Sequence, residues 1–246
     1  TAGNGVQGCA GRGIRGNHRS NKIAEVTDAN PLLRSLERFV KTLASIVLRL
    51  LLGSRPTSVS SESAFTRILV IRQHNQLGDM LCAVPLLRAL REKFPSAYIA
   101  LMASPVNYDV MLHLRYIDKV IKFDKREFLG RGIKGIGALV QFIRVLRGDH
   151  FELAIVPSTV SLSFTSDLLA RLSGARVRIG VKRLNGRASM SAFCFNVPVE
   201  LDWTSTPNRH QVLRNLDVAQ PLMLPTPPLH VEITFDNDEV DKVHAL

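Results

Sequence analysis

The sequence predicts an α/β fold, a Rossmann-like parallel sheet with helices on both faces, preceded by an amphipathic helix. Two observations predict it. Apolar runs of strand length recur along residues 67–181, at 67–72, 97–103, 119–124, 153–158 and 176–181. Segments with apolar residues at helical spacing separate them. Short, mostly apolar strands alternating with helices are expected of a parallel sheet covered on both faces.

The elements follow in order. Residues 1–30 are rich in Gly, Arg and Asn, lack apolar periodicity, and read as a disordered basic head. No apolar h-region marks a signal peptide there. Asn30-Pro31 reads as a helix start, and residues 31–53 carry a broad apolar face (Leu32, Leu33, Leu36, Phe39, Val40, Leu43, Val47, Leu50, Leu51), with Arg34, Glu37, Arg38, Lys41 and Arg49 mostly elsewhere. Mid-span charges disfavour crossing a bilayer. A helix lying in a membrane interface and a helix packed on protein both remain open. Residues 54–66 are Ser-rich and read as a linker.

The βα rhythm starts at Arg67. "RILVIR" is the first strand, and residues 77–94 form a helix through Leu81, Val84, Leu87, Leu90 and Phe94. "AYIALMA", a short helix at 106–114 and "KVIKFD" follow, then a helix at 133–147, "LAIVPS", a helix at 162–173 and "RVRIGV". A further helix is expected in "STPNRHQVLRNLDVA". The main domain is expected over 67–220, and the Pro-rich 221–246 reads as a connection to a further domain.

The net charge of +11 calls for anionic partners such as nucleic acid, phosphorylated sugars or an acidic membrane surface. Basic residues are dispersed and aromatics few, so no base-stacking platform is visible and nucleic acid is not expected. Three widely spaced cysteines, Cys9, Cys82 and Cys194, suggest neither a disulfide framework nor a zinc site. Two GxGxxG matches, at 11–16 and 130–135, lack the strand–turn–helix context that gives the motif meaning. The Asp236-Asn237-Asp238 triplet suits a helix start better than a metal. No metal and no cofactor are expected.

The chemistry concentrates in the first βα turn, "QHNQLGD". Ligands of open α/β sheets sit beyond the carboxyl ends of the strands. Gly78 allows close backbone approach or an unusual φ. Asp79 has two readings: an acidic residue capping its helix, or a fixed carboxylate able to take a proton from a substrate hydroxyl.

Leu77-Gly78-Asp79, Pro85-Leu86-Leu87-Arg88-Ala89-Leu90 and Phe94-Pro95 together resemble the N-terminus of the glycosyltransferase family 9 heptosyltransferases, which add ADP-activated heptose to lipopolysaccharide core. "IDKVIKFD", "ARLSGARVRIGV" and "HQVLRNL" are similar to later family segments, so the resemblance covers residues 67–246. It implies the N-terminal half of a GT-B fold, with inverting, metal-free transfer and Asp79 as the base. It also implies ADP-heptose as donor and a lipid-linked lipopolysaccharide acceptor held by cationic side chains. Lys125, Arg126, Arg131, Lys182, Arg183 and Arg187 are the candidates, with Gly78, Asn75 and His210 as further substrate-binding residues. The implied setting is the cytoplasmic side of the inner membrane, with peripheral attachment to its surface. The family's second domain has no counterpart here, so the chain reads as an incomplete enzyme not expected to catalyse transfer alone. The alternative is a non-catalytic basic module binding an anionic glycolipid or nucleotide at the membrane.

Overall fold

The computed structural model describes residues 53–232, apart from residues 61, 130–131 and 159–160. The basic head, residues 31–52 of the predicted amphipathic helix, Arg131 and the 236–238 triplet lie outside the described residues.

The elements in chain order are β1 (Arg67–Arg72), α1 (Leu77–Leu81), α2 (Val84–Lys93), β2 (Tyr98–Ala103), α3 (Pro105–Met111), β3 (Lys119–Lys122), α4 (Lys125–Leu129) and α5 (Gly132–Gly148). Then come β4 (Leu153–Ile155), α6 (Phe164–Leu172), β5 (Val177–Leu184), β6 (Arg187–Ala188), β7 (Val197–Leu201) and α7 (Gln211–Val218). The seven strands form one sheet in the order β3-β2-β1-β4-β5-β6, with β7 pairing β5 off this path. Every pairing is parallel except the β5–β6 hairpin. The sheet is thus Rossmann-like, as predicted.

The strand period of two sorts each apolar run into two layers. Ile68 and Val70 join Ile99, Leu101, Leu153, Ile155 and Ile179 on one face, where Met80, Leu87, Leu90 and Val218 cover them. Leu69 and Ile71 join Met102, Ala154 and Val156 on the other, beneath Leu146 of α5 and Leu169 of α6. Short, mostly apolar strands were therefore the right signature of a sheet buried on both faces.

Three local features differ from the sequence reading. The single helix expected over 77–94 is two, because Pro85 lacks an N–H and its ring would meet the carbonyl of residue 81 in an unbroken helix; α1 ends at Leu81 and α2 restarts with Pro85 in its first turn. Helix α4 and the strands β6 and β7 were not expected. β5 turns into β6 through Asn185 (φ 49°) and Gly186 (φ 76°), the paired positive φ values of a type I′ hairpin. The predicted linker has no regular structure, yet it is tied down: Arg178 Nη2 donates to Ser54 Oγ (2.7 Å), Thr57 N to the Asn196 carbonyl (2.8 Å), and Phe65 is buried.

Two further contacts constrain the packing. In α2 the nearly buried Arg88 donates to Tyr116 Oη (2.9 Å), the Pro228 carbonyl (2.9 Å) and Glu232 Oε1 (2.7 Å), pinning the segment after α7 against the sheet's helical layer. On β5, an added Cβ at Gly180 would lie 2.1 Å from Phe195 Cζ. Because that ring is itself buried, Gly180→Ala should cost about 1–3 kcal/mol by overpacking. Urea denaturation of the two proteins checks this, and matching midpoints would show that the ring yields freely.

A candidate functional site at the sheet's reversal point

The strand order reverses between β1 and β4, and crevices at such points are where open α/β sheets bind ligands. β1 ends there in a charged residue: Arg72 is 1% exposed. Its Nη1 donates to the Pro157 carbonyl just beyond β4 (3.1 Å), and its Nη2 lies 3.7 Å from Asp79 Oδ2 in α1. Burial lowers the Arg72 pKa and the Asp79 carboxylate acts in the opposite sense. At 3.7 Å the two are an ion pair rather than a hydrogen-bonded pair, so Arg72 places a positive charge beside the Asp79 carboxylate. Asp79 itself is one-fifth exposed.

The turn between Arg72 and Asp79 is pinned from the start of α3 and from the loop after β4. The His74 carbonyl accepts from Asn107 Nδ2 (2.6 Å) and Ser104 Oγ (3.3 Å), and the His74 ring meets Ser161 Oγ at 3.2 Å. Burial first, then the Arg72 charge, holds the imidazole below its ordinary pKa, with Asp79 opposing. The ring is therefore neutral at physiological pH and can either donate or accept one hydrogen bond. After α1, the Cys82 carbonyl accepts from the buried Asn215 of α7 (3.0 Å). The Cys82 thiol is pushed up by burial and by Asp79.

Beside this turn, at the carboxyl ends of β1, β2 and β3, lies a cleft of about 300 Å³ walled by His74, Asn75, Ser104, Phe123, Lys125 and Arg126 among others. It gathers three of the predicted site residues: Asn75, Lys125 and Arg126. Asp79 is not on its wall but belongs to the same turn, five residues beyond His74.

The other candidates are placed differently. Gly78 is exposed, has no positive φ, and a Cβ there would meet nothing within 4 Å, so this fold does not require a glycine at that position. Lys182, Arg183 and Arg187 sit on the β5–β6 hairpin, on the other side of β1 from the cleft. Lys182 pairs with Glu200 Oε1 across to β7 (2.8 Å). His210 caps α7, its Nδ1 accepting from Val212 N (3.3 Å). The sequence reading missed Arg72, His74, Asn107 and Ser161. The one available signal was a charge ending an otherwise apolar run. Among the described residues, no group of three or more His, Cys, Asp and Glu is placed to hold a metal. No described helix is long and apolar enough to cross a membrane.

Comparison with known proteins gives a fold. No family model and no curated protein matches the sequence. Among solved structures, a family 9 glycosyltransferase from Veillonella parvula DSM 2008 is 18% identical, with TM-score 0.55, over 78% of this chain and 52% of that one. The E. coli ADP-heptose lipopolysaccharide heptosyltransferase II is 22% identical, with TM-score 0.52, over 73% of this chain and 50% of that one. The E. coli heptosyltransferase WaaC with ADP-2-deoxy-2-fluoro heptose is 16% identical, with TM-score 0.55, over 68% and 51%. The chain thus spans about half the length of the structures it matches. It carries the Rossmann-like fold of one half of the GT-B heptosyltransferases of glycosyltransferase family 9.

Proposed function

We propose that the chain is the acceptor-side half of a family 9 glycosyltransferase that moves heptose from ADP-heptose onto a lipopolysaccharide inner-core acceptor. The observation that carries this reading is the Arg72–Asp79 pair at the sheet's reversal point, next to a cleft bearing Lys125 and Arg126. In the two-domain enzyme that this reading requires, the facing half would hold the nucleotide-sugar.

The chemistry then runs from residues to reaction. Lys125 and Arg126 attract the acceptor's carboxylates and phosphates into the cleft. An Asp79 carboxylate oxygen takes the proton of the attacking hydroxyl. The hydroxyl oxygen forms a bond to the anomeric carbon on the face opposite ADP, the anomeric carbon–phosphate oxygen bond breaks, and its electron pair leaves with ADP. Arg72 keeps its positive charge beside that carboxylate throughout.

The test is a kinetic split. With ADP-heptose and a Kdo-containing acceptor, the double variant Lys125→Ala/Arg126→Ala should raise the acceptor KM about tenfold or more, since charge-assisted hydrogen bonds contribute about 1.5–3 kcal/mol each. The donor KM should stay at the parent value. An unchanged acceptor KM places the acceptor elsewhere.

One observation favours a second reading. Asp79 stands off the cleft wall, so the cleft alone would suit a module that binds an anionic glycolipid or nucleotide without transfer. Acceptor binding by the two-domain protein without ADP release would select that reading.

A further inference from the structure

Helix α5 is long, 17 residues or about 25 Å, and contains no Asp or Glu. Its inward side is settled: Leu146 is buried in the core layer, and Leu139, Phe142 and Ile143 pack against that layer. Its outward side is not polar. Ile136 is 62% exposed and Val140 is 53% exposed, one helical turn apart. Continuing from Val140 at helical spacing come the exposed Arg144 and Arg147. Between α5 and the end of α6, Leu139, Val140, Ile143 and Leu172 floor a shallow groove of about 410 Å³, with Arg144 and Arg147 lining it. Large exposed aliphatic groups in a row mark an interaction surface rather than ordinary exterior.

The composition of the stripe points to the partner. The only charged side chains lining this groove are arginines. Aliphatic side chains that enter the acyl boundary, flanked by cations at headgroup level and without a single acid, are the arrangement by which helices lie on anionic bilayers. The chain's +11 charge brings it toward such a surface from a distance. We infer that the outward face of α5 docks the protein on an anionic lipid bilayer, with Ile136 and Val140 entering the interface and Arg144 and Arg147 meeting lipid phosphates. The proposal does not depend on the transfer reaction, so its test needs no donor sugar.

The experiment is co-sedimentation of the full chain with vesicles of phosphatidylcholine alone or mixed with phosphatidylglycerol. Binding to the mixed vesicles only, weakening as salt is added, is expected. Ile136→Asp/Val140→Asp should reduce partitioning about tenfold or more. Arg144→Gln, at an exposed site, should reduce it about fivefold. Val145→Asp is the control: that residue is 60% exposed but lies half a helical circumference away from Ile136. It should bind like the parent. Equal binding by all variants, or equal binding to neutral vesicles, overturns the proposal. So does a dimer in size-exclusion chromatography that the Ile136→Asp/Val140→Asp variant dissolves while vesicle binding persists.

Discussion

Under the transfer reaction proposed above, Asp79→Asn should lower kcat of the two-domain protein by about 10²- to 10⁴-fold, the usual contribution of a positioned general base. Asparagine keeps the shape of the side chain and an oxygen able to face Arg72, which lies 3.7 Å from the carboxylate. What it loses is the capacity to take a proton. The acceptor KM should therefore stay close to that of the parent, because the groups assigned to acceptor binding, Lys125 and Arg126, lie in the neighbouring cleft. Fall of kcat with intact acceptor binding is the pattern of an interaction made only in the transition state. Turnover within about threefold of the parent would leave the reaction without its base and remove Asp79 from it. The comparison is made at saturating donor, with the thermal midpoint recorded for both proteins to separate chemistry from folding.

The second large effect is on stability and involves a carboxyl that the proposed reaction does not use. Asp167, in the first turn of α6, is 4% exposed, and the Ser191 hydroxyl donates to its Oδ2 at 2.5 Å. Burial pushes its pKa from 3.8 to about 7, with the Ser191 hydrogen bond acting in the opposite direction. The folded protein therefore holds a proton that the unfolded chain releases. The stability linked to that proton is fully present below pH 3.8 and is lost as pH rises through about 7. At about 1.4 kcal/mol per pH unit, the loss approaches roughly 4 kcal/mol. Asp167→Asn carries no charge at any pH and can still accept from Ser191. It should match the parent near pH 4 and melt several degrees higher above pH 7. A parent and variant whose melting temperatures run parallel across that range would show that the buried carboxyl does not titrate there.

The parts legible in the sequence are those governed by local periodicity. Ile68 and Val70 against Leu69 and Ile71 give one strand with two buried faces, and that pattern identified the sheet. The miss over 77–94 has the same local character: Leu81, Val84 and Leu87 keep helical spacing across a break that Pro85 imposes on the backbone. β7 was overlooked although Val197, Val199 and Leu201 alternate with Pro198 and Glu200, because a proline counts against a strand everywhere except where its missing donor can be tolerated. At the candidate site, Asp79 was visible through the motif that contains it, and Lys125 and Arg126 through their place after a strand. Arg72 and His74 were not, because their partners Pro157 and Ser161 are 85 and 87 residues away and no periodicity encodes a pairing at that range. Lys182 and His210 likewise have partners that no local pattern announces, Glu200 across to β7 and the first turn of α7.

The grip of Arg88 on Pro228 and Glu232 makes the smallest self-sufficient folding unit longer than its sheet, which ends at Leu201. Trimming from the carboxyl side past those two residues would strip a nearly dry guanidinium of a carbonyl and of its counter-ion. Fraying at that end is therefore opposed from within the helix that follows Asp79, and whatever polypeptide comes after departs from a fixed point of leverage.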